Sequence, residues 1–392
     1  MRELVAYPND IVVYRVTDEH NEVFGLLHAR QIPLTLGATQ GSVRNPKAVA
    51  QYSRTGLRLQ SQTPAMDDFY RPQIGPEARL AYIPASLTLL RKMSMADQSM
   101  KAHITEAGGF LAALDQSGGS TPGALRLYGI PESAYSGDAE MFALMHEMRV
   151  RVMTAPAFTG DKVIGAILFE RTMDGEAQGK PVPSFLWEER GTVPFLKVDK
   201  GLEAEADGVS LMKPIPGLDA LLERAVKLGV FGTKMRSTIK LPSESGIAAI
   251  AKQQFEIGAQ ISRHGLIPIL EPEVSIKSPD KPKAEALLRD ALARHLDTLA
   301  DDQQVMLKLT IPDVPDLYKD LIAHDRVVRV VALSGGYSRH DACQRLARNH
   351  GMIASFSRAL LEELRASMSD QEFDAALAEA IDEIYKASTV KV

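Results

Sequence analysis

The chain has 392 residues, of which 45% are hydrophobic and 24% charged, and a formal net charge of -5. This is ordinary for a globular protein, leaves room for one barrel of roughly 250 residues plus an addition, and argues against wholesale binding to nucleic acid or acidic lipid. The single cysteine, Cys343, excludes an intramolecular disulfide and fits a reducing, cytoplasmic setting; no apolar run is long enough to span a bilayer, and no signal-peptide core opens the chain.

Residues 1–92 are unlike the rest. Asp10–Val16 and Glu22–Ala29 read as strands joined by Asp18-Glu19-His20-Asn21, a β-hairpin. After Gln31 periodicity is lost and Pro, Gln, Ser and Arg accumulate, which predicts loop or disorder. A lone hairpin cannot bury a core. Met93, Met95 and Met100 stand just before the periodic part. The expectation is therefore an N-terminal extension over 1–92, misassigned or disordered, and a functional unit over 93–392.

From about Gly108 onward, short apolar runs alternate with amphipathic segments. The runs are Phe110–Leu114, Val163–Phe169, Val193–Leu196, Ile267–Leu270, Val305–Leu307, Val327–Leu333 and Met352–Phe356, and Thr233–Ser237 adds an alternating strand. Helices are predicted over Glu140–Val152, Leu218–Leu228, Ile247–Arg263, Lys283–Leu299, Asp316–His324, Arg339–Asn349 and Gln371–Lys386, from apolar residues three and four apart. Gly229, Gly265 and Gly351 follow three of them as C-caps. About eight βα units predict an α/β fold, a TIM (β/α)8 barrel. A doubly wound sheet would normally carry a glycine-rich nucleotide loop, and none is present.

Most of the runs end in a polar residue: Asp115, Glu170, Lys197, Glu271, Lys308, Ser334 and Ser357-Arg358. In a parallel barrel those ends converge on one face. Lys308 lies inside an apolar run, where a lysine is costly unless paired or neutralised, and only a neutral amine attacks a carbonyl. Taken alone, a lysine snorkelling to water is the plainer reading. Lys234 and Arg236 share one strand face, as do Glu271 and Glu273. A cation near Lys308 would favour its neutral form, and a carboxyl beside it could shuttle protons. Against these stand an amphipathic edge strand and a solvated loop at Pro272. Asp115 offers a base or a turn cap. Lys197, Asp199 and Lys200 offer a basic strand end or a solvated charge run. Ser334-Gly335-Gly336 and Arg358 follow the last two strands, where barrels often hold phosphate. The nine histidines are scattered and one cysteine makes no thiolate site, so no metal site is expected. A Ser-His-Asp site would lack its G-x-S-x-G elbow.

Leu111–Ser120, Gly165–Glu170, Lys197–Gly201, Lys234–Arg236, Pro268–Glu273, Leu307-Lys308, Leu333–Gly336 and Ser355–Leu360, in that order and spacing, resemble the class I, Schiff-base fructose-bisphosphate aldolases in their shorter bacterial form. The likeness covers about residues 100–390. It implies a metal-independent lyase of glycolysis and gluconeogenesis, needing no cofactor, that acts on a phosphorylated sugar. It further implies that Lys308 forms the imine and Glu271 shuttles protons, with Glu273 supporting it. Lys234 would position Glu271, and Asp115 would act on the hydroxyl beside the breaking bond. Ser334, Gly335, Gly336 and Arg358 would hold the ketone-side phosphate, and Lys197 and Arg236 the aldehyde side. The sequence reads Asp-Gln-Ser at 115–117 where the longer form has Asp-Glu-Ser, and whether Tyr385 takes the place of that form's mobile tyrosine is left open. A weaker likeness to the C-terminal end of RelE/ParE-type toxins spans residues 1–33. The rival readings are another phosphorylated-sugar aldolase and a binding protein whose N-terminal extension is the functional module. The sequence sets no oligomeric state.

Overall fold

The computed structural model describes residues 98–117 and 121–392 in full, and the backbone of five strands before them: Glu3–Ala6, Asp10–Val16, Asn21–His28, Val49–Ser53 and Gly56–Gln60. The chain divides into two compact units, Met1–Met93 and Ser94–Val392.

In the first unit, Glu3–Ala6, Asp10–Val16 and Asn21–His28 form one antiparallel sheet, so the expected hairpin gains a third strand. Val49–Ser53 and Gly56–Gln60 pair antiparallel where the sequence reading expected loop or disorder. Two five-residue stretches joined by only Arg54-Thr55 suffice for a hairpin register, which the Pro- and Gln-rich surroundings masked. The side chains behind the toxin-like resemblance lie outside the described residues.

The second unit is a closed ring of eight parallel strands. They are β1 (Phe110–Leu114), β2 (Val163–Leu168), β3 (Val193–Lys197), β4 (Gly232–Ile239), β5 (Ile267–Val274), β6 (Val305–Thr310), β7 (Val327–Leu333) and β8 (Ile353–Phe356). Each pairs with the next, and β8 closes on β1 through Ser355 opposite Leu111 and Phe356 opposite Ala112. No edge of the ring is left unpaired, so its backbone groups are satisfied.

Strand periodicity sorts the side chains into two cores. On β1, Phe110, Ala112 and Leu114 join the layer under the helices, while Leu111 and Ala113 face inward. Inward residues Leu111, Phe195, Ile269, Met306, Val331 and Ile353 fill one end of the lumen, and residues 98–106 plug it with Met100 and Ile104. Facing helices carry local signals. Ser243 caps Glu244–Arg263, Asp280 caps Lys281–Leu296 with a proline in its first turn, and Ser369 with Glu372 makes a capping box on Asp370–Thr389. Gly229 and Gly265 take left-handed conformations after their helices.

One expected helix is much shorter. Of Asp316–His324 only Lys319–Ile322 is helical. Asp316 sits at φ 61°, its amide donates to Asn349 Oδ1 and its carboxylate accepts from the His350 amide, which holds the chain out of helix.

Candidate active site

The alternation that sends Leu111 and Ala113 inward on β1 sends Asp115 inward at its end. The same step of two leads from Phe195 to Lys197 and Asp199, from Ile269 to Glu271 and Glu273, and from Met306 to Lys308. On β4, Met235 and Ile239 belong to the helix-side core, so Lys234 and Arg236 face the lumen. β1, β3, β5 and β6 thus begin apolar and end charged on their inward face. The charged ends open into a cavity of about 1100 Å3, lined by all eleven residues singled out from the sequence. It also takes in Asp199, Gln116, Ser117, Ser355 and Ser357, which were not among them. Gly118, Gly119 and Ser120 lie outside the described residues.

Four side chains, basic and acidic in alternation, form a chain across the cavity floor. Lys308 Nζ is 3.1 Å from Glu271 Oε1, and Lys234 Nζ is 3.0 Å from Glu271 Oε2. Lys234 Nζ then meets Asp115 Oδ2 at 2.6 Å and lies 3.9 Å from Asp199. Lys308, Glu271 and Lys234 are each no more than 4% exposed. Lys197 binds Asp199 Oδ1 at 2.7 Å, and the Arg236 amide donates to the other Asp199 oxygen. Arg236 Nε pairs with Glu273 at 2.5 Å. Four basic side chains (Lys197, Lys234, Arg236, Lys308) therefore face four acidic ones (Asp115, Asp199, Glu271, Glu273) in one cavity. Such a set is tolerable only because each charge has a partner.

The partners decide the charge of Lys234. Burial disfavours the Lys234 ammonium, but Asp115, Glu271 and Asp199 together outweigh it and hold its pKa well above the ordinary lysine value. Lys234 is thus a permanent cation. Burial likewise favours a neutral Asp115, but Lys234, Lys308 and Lys197 overcome it and keep the carboxyl well below the usual range. Among the described residues Lys308 has one carboxylate within 4.0 Å, against three for Lys234. Of the two amines it is the one less bound to a carboxylate cage, and it stands next to the only carboxylate that touches both.

The opposite wall is built from turns. Gly335 at φ 61° and Gly336 at φ 114° follow Ser334 in conformations that side chains resist. A Cβ at Gly335 would come 2.6 Å from Ile276, and one at Gly336 would lie 3.5 Å from Arg358 Nη2. The Arg358 guanidinium therefore sits over the bare backbone of the glycine turn. Gln116 Nε2 donates to Ser357 Oγ at 2.7 Å, tying the end of β1 to the end of β8.

Two residues from the sequence reading lie elsewhere. Glu170 follows β2 but pairs with Lys200 at 2.7 Å and with Arg224, outside the cavity lining. It starts the helix Glu170–Met173, so its side chain leaves the strand register. Tyr385 does not line the cavity. Its hydroxyl lies by Gly108 and its ring 6.0 Å from Lys162 Nζ, at the other end of the strands. Asp199 could have been found, since it stands two residues beyond Lys197 on the same face. Among the described residues no group of three or more His, Cys, Asp or Glu is arranged to hold a metal, and no helix is long and apolar enough to cross a membrane.

Comparison with known proteins bears on this arrangement. The family model for fructose-bisphosphate aldolase class-I matches residues 141–313. The chain is 57% identical over 291 residues to a fructose-bisphosphate aldolase class 1 from Synechocystis sp., covering 96% of that protein and 74% of this chain. It is 57% identical over 283 residues to a fructose-bisphosphate aldolase class 1 from Porphyromonas gingivalis, covering 96% of that protein and 72% of this chain. In fold it is similar to fructose-bisphosphate aldolase from Plasmodium falciparum, solved in a ternary complex with TRAP and a small-molecule inhibitor. The TM-score is 0.59 at 20% identity, over 80% of this chain and 98% of that one.

Proposed function

Because the chain belongs to the class I fructose-bisphosphate aldolases, we propose that it cleaves fructose 1,6-bisphosphate reversibly into dihydroxyacetone phosphate and glyceraldehyde 3-phosphate, through a Schiff base on Lys308. The observation that carries the proposal is the buried chain Lys308–Glu271–Lys234–Asp115. It sets an amine, a proton-carrying carboxyl, a fixed cation and an ionised base in sequence.

Lys308 passes its ammonium proton to Glu271, and the neutral nitrogen then adds to the substrate ketone and gives a carbinolamine. Glu271, 3.1 Å away, delivers a proton to the departing hydroxyl, and water leaves a protonated imine. That imine is the electron sink. Asp115 takes the proton of the C4 hydroxyl, the C3–C4 bonding pair moves into the imine, and C4 leaves as an aldehyde. Protonation of the enamine and hydrolysis free dihydroxyacetone phosphate and restore Lys308. Lys234 stays charged throughout and holds Glu271 and Asp115 in place. Glu273 anchors Arg236. Ser334, Gly335, Gly336 and Arg358 bind the ketone-side phosphate; Lys197 and Arg236 serve the aldehyde side, where each must exchange a carboxylate partner for the anion. The barrel unit carries this chemistry, residues 1–92 are dispensable for it, and the single cysteine fits a cytoplasmic setting.

A coupled assay with fructose 1,6-bisphosphate tests the reading. Cleavage should proceed with EDTA present. No cleavage, or loss with chelator and recovery with zinc, would contradict it. Residues 93–392 expressed alone should turn over as fast as the full chain.

A further inference from the structure

Arg149 is a charged side chain that the mechanism above does not use. It lies on the helix Gly137–Thr154, between Met148 and Val150, and is 1% exposed. Taking a guanidinium out of water costs several kcal/mol unless it is paired. Among the described residues no carboxylate lies within 4.0 Å of it. Nη1 donates to Thr172 Oγ1 at 2.8 Å, Nη2 donates to the Gln116 backbone carbonyl, and Nε has no partner. Its face lies 5.8 Å from the centre of the Phe169 ring. Burial lowers its pKa to about 10, with Asp115 opposing the fall.

As a packing element this is a poor choice. Met145, Met148, Val152 and Met153 surround that stretch of helix with buried apolar side chains, and an apolar residue would extend them without an unpaired donor. The informative contact is Gln116 O, the carbonyl of the residue next to Asp115. Gln116 in turn donates its side chain to Ser357, the neighbour of Arg358. One line of hydrogen bonds, Thr172–Arg149–Gln116–Ser357, thus fastens the segments that follow β2, β1 and β8 to one another. Asp115 hangs from its middle.

We propose that Arg149 is a positioning residue for the bond-breaking step: it fixes the Asp115–Gln116 turn so that the Asp115 carboxylate meets the hydroxyl of the bound imine. The inference rests on the aldolase reading of the site. It separates two steps that share the cavity. Imine formation needs Lys308 and Glu271, which β6 and β5 hold without Arg149. Bond cleavage needs Asp115 in register, and misplacing a reacting group by about 1 Å can cost on the order of 100-fold.

The test uses the full chain with Arg149→Met, which fits the apolar helix face. Two readouts are taken: borohydride trapping of dihydroxyacetone phosphate on Lys308, and single-turnover cleavage of fructose 1,6-bisphosphate. Trapping should stay within about twofold of the unaltered chain while cleavage slows roughly 100-fold, and Arg149→Lys, which keeps one donor and the charge, should recover part of the loss. Cleavage within about threefold of the unaltered chain, or trapping and cleavage lost in the same proportion, would overturn the proposal. Should the Met variant not fold, Thr172→Val removes one anchor of the guanidinium at constant shape. It should show the same split at smaller amplitude, and the absence of a split counts against Arg149. If the unaltered chain itself traps nothing, the aldolase reading fails and takes this inference with it; normal trapping with unaffected cleavage in the variant removes the Arg149 role alone.

Discussion

The two halves of the barrel lumen are made by the same strands and do opposite things. The half near the strand starts is filled by Leu111, Phe195, Ile269, Met306, Val331 and Ile353 and is closed by Met100 and Ile104. Two residues further along, or four on β1, the same faces carry Asp115, Lys197, Glu271 and Lys308. The charged side chain identified in the first half, Arg329, is satisfied by backbone carbonyls of the plug, Ile104 O and Ala107 O. The second has eight ionisable groups, and the buried ones among them, Asp115, Asp199, Lys234, Glu271 and Lys308, are offset chiefly by one another. One set of strands therefore supplies a rigid floor and, directly above it, groups held at fixed separations by that floor. Stability resides below, and chemistry above.

This contrast can be broken by exchanging which half is damaged. The largest effect should come from Lys308→Ala, which removes the amine while leaving the floor intact. Turnover should vanish with the fold preserved by circular dichroism, and near-normal activity would end the assignment. Next comes Phe195→Ala, in the floor beneath Lys197. Deleting a buried ring costs about 3–5 kcal/mol, so thermal unfolding should move sharply down while the variant still traps substrate. A stability change below about 1 kcal/mol would mean that the floor does not bear the fold.

Acid sharpens the comparison from the charged side. Asp115 titrates below its unfolded value, so the stability it contributes is full above about pH 4 and is lost as pH falls through the lower, folded pKa. The thermal midpoint should drop on acidification below pH 4, and less steeply in Asp115→Asn. Equal slopes would show that the cavity charges do not couple to folding. The smallest effect belongs to Glu170→Gln. Its carboxylate pairs with Lys200 and Arg224 near the surface, and such exposed pairs contribute less than about 1 kcal/mol. Turnover should be unchanged.

Much of this was legible in the sequence because the physics is local. A strand buried on both faces must be continuously apolar, so β1, β2, β6 and β7 announce themselves, and a polar residue two steps past an inward one inherits its direction. Asp115, Lys234, Glu271 and Lys308 followed from that rule, and their roles from a family resemblance. What stayed hidden depends on distance in space. Asp199 read as part of a basic strand end or of a solvated charge run, with no role of its own, yet it is 6% exposed because the register of β3 continues past its end. Glu170 was grouped with the strand-end residues, but the helix it starts turns it away. Arg149 looks like an ordinary charge on an amphipathic helix, and only the packing shows that it points inward. Asp316 carries no local sign that Asn349 and His350 will stop its helix.

The central claim is that Lys308, and not its neighbour Lys234, bonds to the substrate. The direct measurement is to incubate the protein with dihydroxyacetone phosphate, reduce with borohydride, and locate the adduct by peptide mass spectrometry. The account predicts a single reduced adduct on Lys308. An adduct on Lys234 or another lysine, or none, would contradict it.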